Sequence, residues 1–150
     1  MGTAMKNWTP LFDRGDGTWV GVDESGDIGV GSQEHIKAKV PISNPVPLWP
    51  LLERDFRSVH ELLVSEWPRL EPAGRSRPEQ LIEKIIVSAM GSGSPYWVER
   101  AVAWISDMPK SDFDEILLTS HLRMIRVDTS MPQALRHRAA KQSKRWSQQE

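Results

Sequence analysis

Between Thr18 and Ile42 apolar residues recur at every second position. In "TWVGV", Thr18, Val20 and Val22 share one face and Trp19 and Gly21 the other. In "DIGVG", Ile28 and Val30 share a face, and "HIKAKVPI" puts Ile36, Ala38, Val40 and Ile42 inward with His35, Lys37 and Lys39 outward. The pattern predicts a short antiparallel hairpin or meander of two or three strands within 17–42. The prolines of "SNPVP" end it, since a sheet interior has no use for a residue without an N–H.

From Leu48 the period becomes helical. Leu51, Leu52, Phe56, Val59, Leu62, Leu63 and Trp67 form one stripe, with Pro50 in its first turn. "PRLEPAGRSRP" breaks it. Ser76 and Glu79 then have the spacing of a capping box ahead of Leu81, Ile82, Ile85, Ile86, Ala89 and Met90. "GSGS" stops that helix. Ser94 caps the next, with Pro95 at its first position and Trp97, Val98, Ala101, Val102 and Ile105 inward. Ser111 caps a fourth, whose apolar set is Phe113, Ile116, Leu117, Met124 and Ile125. Ser130 opens a fifth, with Leu135, Ala139 and Trp146 inward. The expected class is α+β, mainly α. One domain over 1–150 carries N-terminal strands and a loop (1–47) and a helical part (48–150) of four to five helices. Short loops favour antiparallel neighbours, as a bundle or as a stack of helical hairpins.

Composition narrows the chemistry. Apolar residues are 39% and charged residues 26% of the 150, an ordinary balance for one folded domain. Without cysteine there is no disulfide framework or thiolate metal site, and the chain suits a reducing cytoplasm. No run of about 18 apolar residues is present to cross a membrane. "MGTAMKNWTP" lacks the apolar stretch of a secretory signal, and Lys6 spoils a myristoylation pattern. Met5 reads as the native start, with "MGTA" an added leader.

The net charge of −1 conceals a separation. Residues 1–35 carry Asp13, Asp16, Asp23, Glu24, Asp27 and Glu34 against Lys6 and Arg14, while the tail carries Arg136, Arg138, Lys141, Lys144 and Arg145 against Glu150. The acidic end includes "DESGDIGVGSQE", Asp23 to Glu34, whose first, third, fifth and twelfth positions resemble a calcium loop. Its sixth position is Ile28 where such a loop needs glycine, and its flanks alternate like strands. It therefore reads as a presented hairpin turn. Its glycines lack dinucleotide spacing, and no Walker lysine follows "GSGS". No histidine has another at i+3 or i+4, so none forms a paired metal site. His121 with Arg123 and Arg126, or His137 between Arg136 and Arg138, lacks a second acid or base for phosphodiester chemistry. No catalytic residue, metal or cofactor is expected.

Seven tryptophans against one tyrosine is a skewed set, suited to filling gaps between helices, with one or two left for a binding surface. In "LRHRAAKQSKRW", Arg138, Lys141 and Arg145 fall near one helical face with Trp146, an arrangement that grips phosphates and stacks a base. The chain lacks the overall basic excess of a dedicated nucleic-acid binder, so this is the alternative reading.

The run "YWVERAVAWISDMP…FDEILLTSHLRMIRVDTSMPQALRHRAAK", with "PQALRHRA" its most characteristic part, resembles the helical end of small cytoplasmic immunity proteins of bacterial toxin–immunity systems. The resemblance covers about the last 55 residues. It implies a non-catalytic inhibitor that binds one cognate protein toxin, and it transfers no active-site residue. Toxins that act on nucleic acid carry basic clefts, so Asp23, Glu24 and Asp27, with Trp19 as an apolar anchor, are the expected contact residues.

Overall fold

The computed structural model describes residues 8–41 and 43–147. Four strands, β1 (Trp8–Asp13), β2 (Trp19–Asp23), β3 (Ile28–Gly31) and β4 (Ile36–Lys39), pair antiparallel in chain order. A 3-10 segment, Val46–Glu53, leads to five α-helices: α1 (Phe56–Leu70), α2 (Pro78–Met90), α3 (Pro95–Asp107), α4 (Glu115–Arg126) and α5 (Gln133–Ser147). The chain is α+β and mainly α, as the periodicity predicts. Phe12, Val20, Val30 and Val40 join one apolar core with the helices, so strands and helical part share a single interior.

The sheet has one strand more than the pattern predicts. β1 contains Pro10 and lacks strict alternation. It sits at an edge, and its register shifts between Pro10 and Phe12, which is where a sheet tolerates proline. β4 departs in another way. Its register shifts between the Val30–Ala38 and Gly31–Ile36 pairs, and such a slip turns side chains to the opposite face. Ile36 therefore lies over Gly29 rather than inward, Ala38 is exposed at the sheet margin, and of the expected inward set only Val40 is buried. Ile42, expected inward, lies outside the described residues.

Register places Gly21, Gly29 and Gly31 on one face with Trp8 and Trp19. A Cβ at Gly21 would stand 2.1 Å from the Thr9 carbonyl oxygen, and one at Gly31 would stand 2.1 Å from that of His35. β1 and the approach to β4 thus fold over a bare β2–β3 backbone. Trp8, 3% exposed, donates its Nε1–H to the Ser32 carbonyl at 2.8 Å and ties the start of β1 to the end of β3.

The helical boundaries show where local signals competed. The stripe expected to start under Pro50 is divided. Pro45, Pro47 and Pro50 deprive the backbone of donors, and a 3-10 segment with Leu48, Leu51 and Leu52 buried replaces an α-helix. α1 starts at Phe56, where Asp55 accepts from Ser58 N–H at 3.0 Å. It then runs through Pro68 because Leu70 is drawn into the core. α2 is capped by Gln80 Oε1 accepting from Arg77 N–H at 2.8 Å, not by Ser76 with Glu79. Ser94 caps α3 as expected.

α4 differs most. Its cap is Asp114, accepting from Leu117 N–H at 3.1 Å, and not Ser111. Phe113 precedes the helix in extended backbone, so helical phase cannot be counted from it. Leu118, Thr119, Leu122 and Ile125 face inward, while Ile116 and Met124 point to solvent. Ser130 bonds to Asp128 in the turn before α5 and does not cap the helix, which starts after Pro132. Leu135, Ala139 and Trp146 are buried as expected.

Because backbone blocks the space above Gly21, Gly21→Ala is expected to lower stability by about 1–3 kcal/mol, as overpacking does. Urea unfolding checks this, with Gly91→Ala as a comparison at a site of negative φ where a Cβ meets only ordinary contacts.

Candidate functional site

The β2–β3 turn is built around one carboxylate. Asp23 Oδ1 accepts from Ser25 N–H at 2.9 Å and from Asp27 N–H at 3.0 Å, and Gly26 takes φ +86°. Lys39, across from the turn on β4, lies 3.4 Å from Asp23 and 3.5 Å from Asp27. Partial desolvation pushes the Asp23 carboxyl up. The Asp27 and Ser25 N–H groups and the Lys39 ammonium outweigh it and hold the group below its ordinary 3.8. Glu24 and Asp27 are exposed. Glu34 sits beyond the far end of β3, about 13 Å of strand away, and its N–H is held by Ser32 Oγ. The calcium-like positions therefore do not converge.

Beside the turn a groove of about 550 Å³ opens between the sheet and the α1–α2 junction. Ile28, Val40, Trp67, Leu70 and Leu81 supply its apolar lining, and Asp27, Lys39, Glu71, Arg75 and Lys84 its charges. The far wall is pinned. Trp67 Nε1–H donates to the Ser76 carbonyl at 2.8 Å, and Glu71 Oε2 accepts from Arg75 N–H at 2.9 Å. A concave, half-apolar site with a few converging charges is a common form for a recognition surface.

The sequence placed Trp19 with the acidic residues, but the structure does not. Trp19 pairs with Gly31, at the opposite end of β2 from Asp23. Trp67 is the tryptophan at the groove. Nothing local signals this, because Trp67 meets the turn only once α1 packs on the sheet.

The four residues of the nucleic-acid alternative are dispersed in role. Arg138 pairs with Glu99 at 2.7 Å. Arg145 Nη2–H donates to the Ile105 carbonyl at 2.8 Å and bridges to Ser106 at the end of α3. Trp146 is 0% exposed, so it has no free face on which to stack a base. Lys141 is exposed. His121 hydrogen-bonds to the Leu117 carbonyl of its own helix at 3.0 Å. His60 meets Glu79 at 2.7 Å between the rings of Phe56 and Phe113. Burial pushes the Glu79 carboxyl up, but the bond to His60, with smaller contributions from the helix backbone and Arg77, brings it below 4.5.

No described helix is long and apolar enough to cross a membrane. Comparison of the chain with protein-family models, curated proteins and solved structures finds no match in any of the three.

The lowered Asp23 pKa sets a pH dependence. A depressed native value gives stability that is present above the unfolded value and lost as pH falls through the native one. The stability difference between the parent and Asp23→Asn is therefore expected to persist from neutral pH down to about pH 4 and to close below it. Urea midpoints from pH 7 to pH 2.5 check this.

Proposed function

We propose that this protein is a non-catalytic, immunity-type inhibitor that binds a cognate protein toxin one-to-one in the bacterial cytoplasm. The observation that carries the reading is the exposed acidic turn at the mouth of a half-apolar groove. Asp23, Glu24 and Asp27 against Lys39 leave the turn net negative. Carboxylates on one surface steer a partner with a basic cleft and raise the association rate. The groove beside them takes an apolar side chain of that partner, and buried anchors of this kind carry most of an interface's affinity. The resemblance of the C-terminal helices to immunity proteins points the same way.

The turn geometry selects the variant. Asp23 holds two backbone N–H groups, so reversing it would damage the loop. Glu24 and Asp27 are exposed, and the one ion pair lost, Asp27 with Lys39, is itself exposed and worth about 0–1 kcal/mol. The partner to test is a toxin domain encoded by the neighbouring reading frame. Co-expression is expected to protect cells, and calorimetry to show 1:1 binding. Glu24→Lys with Asp27→Lys is expected to slow association about tenfold at low salt. The loss should shrink by 0.5 M salt, as screening shortens from a Debye length of about 10 Å at 0.1 M. Unchanged association at low salt would refute the acidic-turn contact. A protein that binds no toxin but shifts RNA or DNA through Lys141 would overturn the function itself.

A further inference from the structure

The groove beside the acidic turn carries polar side chains that nothing in the described chain engages. Its two carboxylates are not among them. Asp27 lies 3.5 Å from Lys39, and Glu71 Oε2 accepts from Arg75 N–H at 2.9 Å and from the Ser76 hydroxyl at 3.4 Å. Gln80 Oε1 is held by Arg77 N–H at 2.8 Å, which leaves its amide NH2, a donor. Lys84 stands four residues further on, on the same face of α2. The Lys84 ammonium and the Arg75 guanidinium have no ion pair or hydrogen bond among the described residues. The helix-side wall of the groove therefore offers two unpaired cations and an amide donor.

Surface cations are ordinarily left to water. These differ because they border an apolar concavity, lined by Ile28, Val40, Trp67, Leu70 and Leu81. Its volume of about 550 Å³ lies within the range of roughly 300–1,000 Å³ typical of small-molecule sites. Bonds of the chain itself hold the walls. Trp67 Nε1–H donates to the Ser76 carbonyl, and Val40 N–H donates to the Ile28 carbonyl at 2.8 Å. A groove formed before anything binds spares a ligand the cost of ordering it. Apolar walls also strengthen the field of a nearby charge, since less water screens it. A matching occupant buries apolar surface and turns a negatively charged acceptor toward α2. We propose that the groove binds a compact apolar carboxylate, its hydrocarbon body on Trp67, Leu70 and Leu81 and its carboxylate on Lys84, Arg75 and the Gln80 amide. The inference does not rest on the toxin-binding reading, which gives the same groove to a side chain of the partner.

The test titrates the full chain with naphthylacetate, with the neutral naphthylethanol and with the cationic naphthylmethylammonium, read by calorimetry and by methyl and indole N–H magnetic resonance. The carboxylate is expected to bind one-to-one with a dissociation constant on the order of 100 μM, as befits so few atoms. The alcohol is expected to bind at least tenfold more weakly, and the ammonium more weakly still. The Val40 and Leu81 methyl signals and the Trp67 indole N–H should shift, while the Trp146 indole N–H stays in place. Lys84→Glu and Arg75→Gln are each expected to lower the carboxylate affinity at least fivefold with an unchanged circular dichroism melt, because both side chains are exposed and unpaired. A parent that binds no naphthylacetate at ten times that concentration overturns the proposal, as does equal affinity for the alcohol. Signal shifts that fall outside the groove, or folded variants that bind like the parent, overturn it equally. A groove that takes none of the three probes, yet whose Trp67 signal moves when toxin binds, belongs to the toxin alone.

Discussion

Leu81, Ile82, Ile85, Ile86, Ala89 and Met90 cover about half the circumference of α2, and a helix with so wide an apolar face needs more than one neighbour. It has four: α1, α3, α4 and the 3-10 segment all pack on it. The placing of the other helices follows from this burial. Truncating one such core isoleucine to alanine typically costs about 2–5 kcal/mol, against a total stability of about 5–15 kcal/mol for a domain. The sheet then docks through Phe12, Val20, Val30 and Val40 on the same interior.

Packing irregular segments together leaves backbone carbonyls at element ends, and the tryptophans supply their donors. Trp8 reaches Ser32 beyond β3, Trp67 reaches Ser76 before α2, Trp104 reaches Arg54 after the 3-10 segment, and Trp146 reaches Ile105 in the last turn of α3. Trp49 serves the Ser88 hydroxyl in the same way. Each of these indoles fills a gap and gives its own N–H a partner; Trp146 shares the Ile105 carbonyl with Arg145, while the others serve oxygens that would otherwise be costly to desolvate. The skew toward tryptophan over tyrosine suits this, since an indole offers a donor without an acceptor of its own.

The same economy governs the charges. The basic end of α5 closes the fold: Arg145 meets the terminal carbonyls of α3, and Lys110 Nζ donates to the Arg145 carbonyl at 3.2 Å. Cations at helix C-termini are favoured by the dipole as well as by the bonds. The acidic end differs. Asp23 is spent on its own turn, while Glu24 and Asp27 remain exposed beside a groove. Two charge clusters of similar strength in the sequence thus have different fates, one partly structural and one presented.

The sequence alone determined the elements whose pattern is dense and whose signals agree. The stripes of α2, α3 and α5 and the alternation of β2 and β3 were legible because every few residues repeat the same instruction. β1 was not legible, because Pro10 and a bulge disguise it. α4 misled, because Phe113 is apolar and adjacent but lies outside the helix, which shifts the apparent phase. The groove and the roles of Trp67, Lys39 and Arg145 were decided only by the tertiary structure. Local periodicity states which faces are apolar. Whether an apolar or charged side chain finds a neighbour depends on segments tens of residues away, and that is settled by how the helices fill the space around α2.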